Sequence, residues 1–307
     1  MTDPSLAFRQ LVFSGGGTRC FWHGGFLSVV GPAIHLRPER IAAVSGGALS
    51  SCAFIAGREE KLFEVMGTAL AERGSNVSDW DELGEQGLTP HQEMYREIVS
   101  TVMDDEAIAR VADGPSFQVL LAHPPLDAVP KLSTVPMMLA YEADLAIRST
   151  PHVVAANTLG ANEVVVDARR AARDGRLVDL VCNAAVIPPV FNVQQWDGRP
   201  VIDGGMTSKA PMPDPDEGRT FVLCTRRFRN VPDDPDRLYV QPSESVPADK
   251  IDFTSRAKIE ATWKAGIADG HAFLADHGLP HDEAQARAAR ATPTDDKAGT
   301  DAKTGGA

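Results

Sequence analysis

A serine at position 45 closes the apolar run Arg40-Ile41-Ala42-Ala43-Val44, and Gly46 and Gly47 follow it at once. Ala48 to Ala56 is then rich in small and apolar residues suited to a packed helix. A strand that stops at a serine and turns through glycine into a helix holds the hydroxyl on a strained turn, the layout of a nucleophile. The turn takes small neighbours because its backbone is sparsely populated and the chain passes close by. The new helix brings free N–H groups and a positive dipole end to the hydroxyl. Ser45 is therefore the expected nucleophile, with Ala43, Gly46 and Gly47 as its elbow.

Two further glycine-marked sites fall at the ends of apolar runs. Gly15-Gly16-Gly17-Thr18-Arg19-Cys20 follows Gln10-Leu11-Val12-Phe13-Ser14, and Asp203-Gly204-Gly205 follows Pro200-Val201-Ile202. A glycine-rich turn between strand and helix also serves dinucleotides. Here Cys20 takes the place of the third glycine, no acidic residue ends a second strand at the required distance, and no Gly-Lys-Ser/Thr follows. Asp203 alone reads equally well as a turn residue. Together the three sites supply acyl transfer: Ser45 attacks a carbonyl, Asp203 takes its proton, and the N–H groups of Gly16 and Gly17 hold the oxyanion. Arg19 stands in the first turn of a predicted helix, where a cation opposes the dipole. A task toward the loop or toward an anionic substrate group competes there with a solvated side chain.

The elements that must position these groups alternate early in the chain. Strands are predicted over 10–14, 40–44, 116–121 and 220–225, and helices over 18–30, 46–56, 59–73, 91–112, 177–185 and 254–274. A less distinct helix is expected over 135–147. Hairpins are expected across 159–162 and across Asp197-Gly198. The polar stretch 74–90 reads as a mobile loop. The alternation favours an α/β fold with one mostly parallel central sheet. From about 279 to 307 the chain is charged and poor in apolar bulk, so a disordered tail is expected after a domain spanning 8–278.

The three motifs, in this order and spacing, resemble those of the patatin-like phospholipase family. The glycine loop is Gly15 to Cys20, the elbow Ala43 to Gly47, and the aspartate motif Asp203 to Gly205. The stretch Asn183-Ala184-Ala185-Val186-Ile187-Pro188-Pro189-Val190-Phe191 is similar to the family's segment before the aspartate. The likeness covers about Leu11 to Leu274. It implies a three-layer fold, a Ser–Asp dyad in place of a triad, and a lipid or other acyl-ester substrate cleaved through an acyl-enzyme. In the family, the basic residue of the loop, here Arg19, helps orient that loop. Two positions depart from the pattern. Ala43 stands for the first glycine of the elbow and Cys20 for the last of the loop, and neither removes a catalytic group. His271, His277 and His281 follow Asp203 in the order a triad requires. Their places in a closing helix and a polar turn set them outside catalysis, and His23 reads as a core or surface residue. A non-lipid carboxylesterase and a catalytically silent lipid-binding member of the fold stay open as alternatives.

Composition narrows the partners. The chain has 307 residues and a formal net charge of −12, opposite to the basic footprint of a nucleic-acid binder. No apolar run reaches the roughly 18 residues that span a bilayer, and Met1 to Gln10 lacks the pattern of a secretory signal. Cys20, Cys52, Cys182 and Cys224 show neither metal spacing nor a disulfide framework. They are expected as buried, reduced thiols. No calcium-loop pattern occurs. The expectation is a cytoplasmic protein, without metal or cofactor, that touches membranes at most peripherally. Phe21, Trp22, Phe54 and Phe191 suit an acyl chain, with the core as the competing place for them.

Overall fold

The computed structural model describes residues 6–73, 88–126, 149–152, 162–188, 190–249, 255–282 and 285. Strand β1 (Gln10–Phe13) leads through a 3₁₀ turn (Gly17–Cys20) into α1 (Phe21–Ala33), and β2 (Arg40–Val44) leads through Ser45 into α2 (Gly46–Ala56). Helices α3 (Glu59–Arg73), α4 (Pro90–Val102) and α5 (Asp105–Asp113) precede β3 (Ser116–His123). Then come β4 (Asn162–Asp167), α6 (Ala168–Arg173), α7 (Leu177–Ala184), β5 (Gln194–Trp196) and β6 (Arg199–Asp203). Strands β7 (Thr220–Leu223) and β8 (Arg237–Val240) and the long α8 (Arg256–Asp276) close the order.

The strands form one eight-stranded sheet in the order β5-β6-β3-β2-β1-β7-β8, with β4 also paired to β3. The pairs β1–β2, β1–β7, β2–β3 and β7–β8 are parallel, while β3–β4, β3–β6 and β5–β6 are antiparallel. The expected α/β class with a mostly parallel sheet flanked by helices is the class found. Its central strands are buried on both faces, which is why they read as unbroken apolar runs. Strand periodicity sends Leu11, Phe13, Ile41, Ala43, Phe221 and Leu223 into the large helix-covered core. Val12, Ala42 and Val222 face the other way, into a smaller cluster with Ala210, Cys224 and Phe228. Helices α1 and α8 pack backbone to backbone: a Cβ on Gly25 would lie 2.0 Å from the carbonyl oxygen of Trp263.

Most predicted elements are present with small shifts of boundary. The single helix expected over 91–112 is two. Its apolar spacing runs on across the break, but Asp104 accepts the N–H of Ala107 at 2.9 Å and starts α5 as its N-cap. The first part, α4, opens on a capping box of Thr89 and Gln92. The 197–198 hairpin joins β5 and β6, and Asp197 and Gly198 both take positive φ, as its tight turn requires. Of the hairpin expected across 159–162, the later arm lies in β4 and pairs with β3. Residues 153–161, the helix expected over 135–147, most of the loop at 74–90 and nearly all of the tail lie outside the described residues.

Candidate active site

The β2–α2 junction places Ser45 in a conformation that L-residues rarely adopt, with φ 57° and ψ −139°. Local sequence permits this because Gly47 follows: a Cβ there would lie 2.6 Å from the carbonyl oxygen of Phe13. Strain of this kind persists only where the surroundings enforce it. It aims the Ser45 hydroxyl at the end of β6. Ser45 Oγ donates to Asp203 Oδ2 at 2.6 Å, a short hydrogen bond to a carboxylate. Both residues are buried, at 2% and 1% exposure.

Asp203 is itself fixed. It pairs with Leu121 of β3 in register, and its N–H donates to the carbonyl of Val186 at 2.8 Å. Its second oxygen, Oδ1, accepts the N–H of Gly205 at 2.7 Å. One oxygen is thus held by backbone, and the other is left to the serine.

The glycine loop lies against the nucleophile. A Cβ on Gly15 would approach Ser45 Cβ to 3.0 Å, and one on Gly46 would approach the Gly17 carbonyl oxygen to 2.9 Å. Gly15 N–H donates to the carbonyl of Lys209 at 3.0 Å, and its own carbonyl accepts from Thr225 Oγ1 at 2.6 Å. Thr225 is locked in turn, its N–H donating to Ser14 Oγ at 3.0 Å. Among the described residues, no acceptor takes the N–H of Gly16 or of Gly17. Two backbone donors therefore stand beside the serine in a loop pinned from both sides.

Arg19 is turned to Asp249, with Nη2 to Oδ1 at 3.0 Å, and Thr18 Oγ1 donates to the Asp249 carbonyl. Its charge holds the start of α1 to the 249 segment. Cys20 lies in this same turn, its Sγ 3.7 Å from the Ser14 carbonyl, and burial raises the thiol pKa. Ala43 is fully buried in β2 beside Phe13 and Val119. Gly204 backs onto the Leu120 carbonyl, where a Cβ would come within 2.4 Å.

The histidines sit elsewhere. His271 contacts Gln285 and the N–H of Asp282, His277 its own helix at the Phe273 carbonyl, and His281 the Leu279 carbonyl. His23 is buried beneath the sheet with Nε2 3.2 Å from the Leu223 carbonyl. Burial pushes its pKa down to about 3, so it is neutral.

Four residues that sequence reasoning missed shape the site. Thr225 and Asp249 pin the loop. Lys209 is buried, and a Cβ on Gly205 would lie 3.1 Å from its Nζ and 2.9 Å from Asp203 Oδ1, so an ammonium flanks the acid. Tyr95 is buried, and its hydroxyl has no hydrogen-bond partner among the described residues. It lines an apolar cleft together with Gly17, Cys20 and Gly46. Phe21 and Phe54 line it too; Phe21, Trp22 and Phe191 all belong to the large core, and Phe54 packs against it.

Among the described residues, no group of three or more His, Cys, Asp or Glu side chains could hold a metal ion. No described helix is long and apolar enough to cross a membrane. The family model described as patatin-like phospholipase matches residues 11–216. Among solved structures, the chain is similar to VipD from Legionella pneumophila, with a TM-score of 0.45 and 10% identity over 90% of this chain and 68% of that one. No curated protein matches the sequence.

Proposed function

The chain belongs to the patatin-like phospholipase family, a family of lipid acyl hydrolases, and from that premise we propose that it cleaves ester bonds of phospholipids or related lipids through a Ser45–Asp203 dyad. The observation that carries this reading is the 2.6 Å bond from Ser45 Oγ to Asp203 Oδ2 on a strained elbow. As Ser45 Oγ attacks the ester carbonyl, its proton passes to Asp203 Oδ2. The oxygen that gains charge is met by the N–H groups of Gly16 and Gly17, donors that bind it better than the ground-state carbonyl. Collapse breaks the bond to the alcohol, which leaves with the proton from Asp203, and an acyl-serine remains. Water then gives a proton to Asp203, attacks the acyl-serine and releases the fatty acid. The proton returns to Ser45.

Gly205 N–H holds Asp203 Oδ1 throughout, and Lys209 places positive charge nearby. The hydrogen bond fixes the aim of the carboxylate toward Ser45, and the ammonium sets an opposite charge beside it. The catalytic unit runs over 8–278, followed by a polar tail, and the enzyme is cytoplasmic and meets lipid at the membrane surface peripherally. The test is hydrolysis of phospholipid vesicles and of a soluble ester by wild type, Ser45→Ala and Asp203→Asn, with circular dichroism to verify folding. Both variants lose at least about a hundredfold in kcat, because members of one catalytic unit fail together. A folded variant keeping more than about a tenth of the wild-type rate would overturn the dyad.

A further inference from the structure

We infer that the loop after β7 docks the enzyme on an anionic lipid surface, with Arg226 and Arg227 as the groups that meet headgroup phosphates; the inference rests on the lipid acyl-hydrolase reading above. The sequence puts three arginines into Arg226-Arg227-Phe228-Arg229, in a chain where 42 acidic residues outnumber 30 lysines and arginines. The surplus negative charge repels an anionic surface, so a face that docks there must be a local exception to it.

Position singles this loop out. Strand β7 runs parallel beside β1, so both strands end on the same side of the sheet. The glycine loop leaves β1 there, and Thr225, the residue before the arginines, donates to the Gly15 carbonyl. Ligands of open α/β sheets are met at these carboxyl ends of the strands. The arginines therefore stand on the rim of the Ser45 site. The carboxylates of Asp216 and Asp234 lie at the opposite end of β7, on Arg237, which pairs with Thr220.

The fold of the loop presents the charges outward. Phe228 is its anchor, buried in the smaller cluster with Val12, Val222 and Cys224, and its N–H donates to Gln241 Oε1 at 2.6 Å. The N–H of Arg229 donates to Ser149 Oγ and that of Asn230 to the Ser149 carbonyl, both at 3.0 Å. On either side of the buried ring, Arg227 and Arg229 are exposed, and Arg226 is half-buried with its guanidinium 5.5 Å from the ring centre. Arg227 Nη1 donates to the Ser243 carbonyl at 3.1 Å, a neutral partner that leaves its charge uncancelled. Neither Arg226 nor Arg227 forms an ion pair with a carboxylate among the described residues. Asp249 of the neighbouring segment is engaged by Arg19. Glu244, exposed and next to Ser243, is a nearby carboxylate that opposes docking. Guanidinium groups held this way match phosphate oxygens in geometry as well as charge. Each one near an anionic bilayer raises partitioning about fivefold.

The experiment has two arms, both on the full chain. In the first, Ser45→Ala protein is co-sedimented with vesicles of equimolar phosphatidylglycerol and phosphatidylcholine, and with vesicles of phosphatidylcholine alone. It should prefer the anionic vesicles at least about tenfold, and salt should weaken the preference. Arg226→Gln with Arg227→Gln lowers partitioning about twenty-five-fold, and Arg227→Gln alone about fivefold. Glu244→Gln, which removes no arginine, raises it. Arg37→Gln, an exposed arginine before β2 at the far end of the sheet, changes it by less than about twofold. In the second arm, the arginine variants keep Ser45. Their kcat/KM on a soluble ester and on monomeric short-chain phosphatidylglycerol stays within about twofold of wild type, while hydrolysis of anionic vesicles falls with partitioning. Equal partitioning on the two kinds of vesicle, or equal losses from Arg37→Gln and Arg227→Gln, overturns the docking surface. A loss on monomeric phosphatidylglycerol as large as on vesicles also overturns it, and makes these arginines a headgroup subsite instead. Partitioning as expected, with no hydrolysis of any ester by wild type, overturns the hydrolase reading and leaves the docking surface standing.

Discussion

Gly16→Ala isolates what the glycine loop does. The φ of 175° at Gly16 lies outside the left-handed region that favours glycine. The obstacle is steric. Its Cβ would lie 2.3 Å from Thr225 Oγ1, 2.8 Å from Thr225 Cβ and 3.0 Å from Thr225 Cγ2. Ordinary contact begins near 3.4 Å, so one of the two segments must give way by about an ångström. Thr225 resists, because it is buried and holds Ser14 Oγ and the Gly15 carbonyl. The loop moves instead, carrying the Gly16 and Gly17 donors off target. Overpacking of this size costs about 1–3 kcal/mol in stability. Loss of one oxyanion donor costs about 3–4 kcal/mol in the transition state, roughly 10²–10³-fold in kcat. KM should change little, since the donors act mainly on the oxyanion. The assay is steady-state ester hydrolysis with melting temperatures for Gly16→Ala, Thr225→Gly and the double variant. Thr225→Gly deletes all three clashing atoms, so the double variant should recover at least tenfold over Gly16→Ala, a coupling typical of residues in contact. Full kcat in Gly16→Ala would refute the reasoning. So would a double variant as slow as Gly16→Ala when Thr225→Gly alone is active.

His23 gives the fold an acid limit. Its unfolded pKa near 6.5 falls to about 3 in the folded protein, so the unfolded chain binds the proton first and stability drops as pH falls from 6.5 toward 3. The slope is about 1.4 kcal/mol per pH unit. His23→Gln should flatten the melting temperature against pH in that window and leave it unchanged above pH 7, and an unaltered slope would count against it. His271→Ala and His277→Ala should keep at least half of wild-type kcat, and a hundredfold loss in either would replace the dyad with a triad. Cys52 and Cys224 are buried, with thiol pKa pushed up to about 12 by burial. Iodoacetamide at pH 8 should leave both unlabelled in the native protein and alkylate them in denaturant, because the thiolate is the reacting form.

What could be read from the sequence was what local chemistry dictates. A serine between an apolar run and two glycines, and an aspartate ending another such run, are each specified by their immediate neighbours. Ser45 and Asp203 were visible for that reason, and so were the central strands, whose double burial makes them uniformly apolar. Lys209, Thr225, Tyr95 and Asp249 were not. Each acts through partners far off in the chain: Thr225 on the Gly15 carbonyl and Lys209 on the Gly15 N–H. No local pattern encodes such pairings. Strand β8 escaped notice because all four of its residues are only half-buried at the sheet edge, so it lacks the apolar run that marked its neighbours. Helices α4 and α5 read as one because helical periodicity is continuous across Asp104, and apolar spacing alone does not register an N-cap inside such a pattern.

The central claim is that Ser45 is an activated nucleophile, and covalent labelling tests it most directly. Wild-type protein treated with a fluorophosphonate should gain one adduct by intact mass. Peptide mapping should place that adduct on Ser45, with labelling slowed at least a hundredfold in Asp203→Asn. Folded protein that takes no label, or takes it at another serine while Ser45→Ala labels as fast as wild type, would contradict the account.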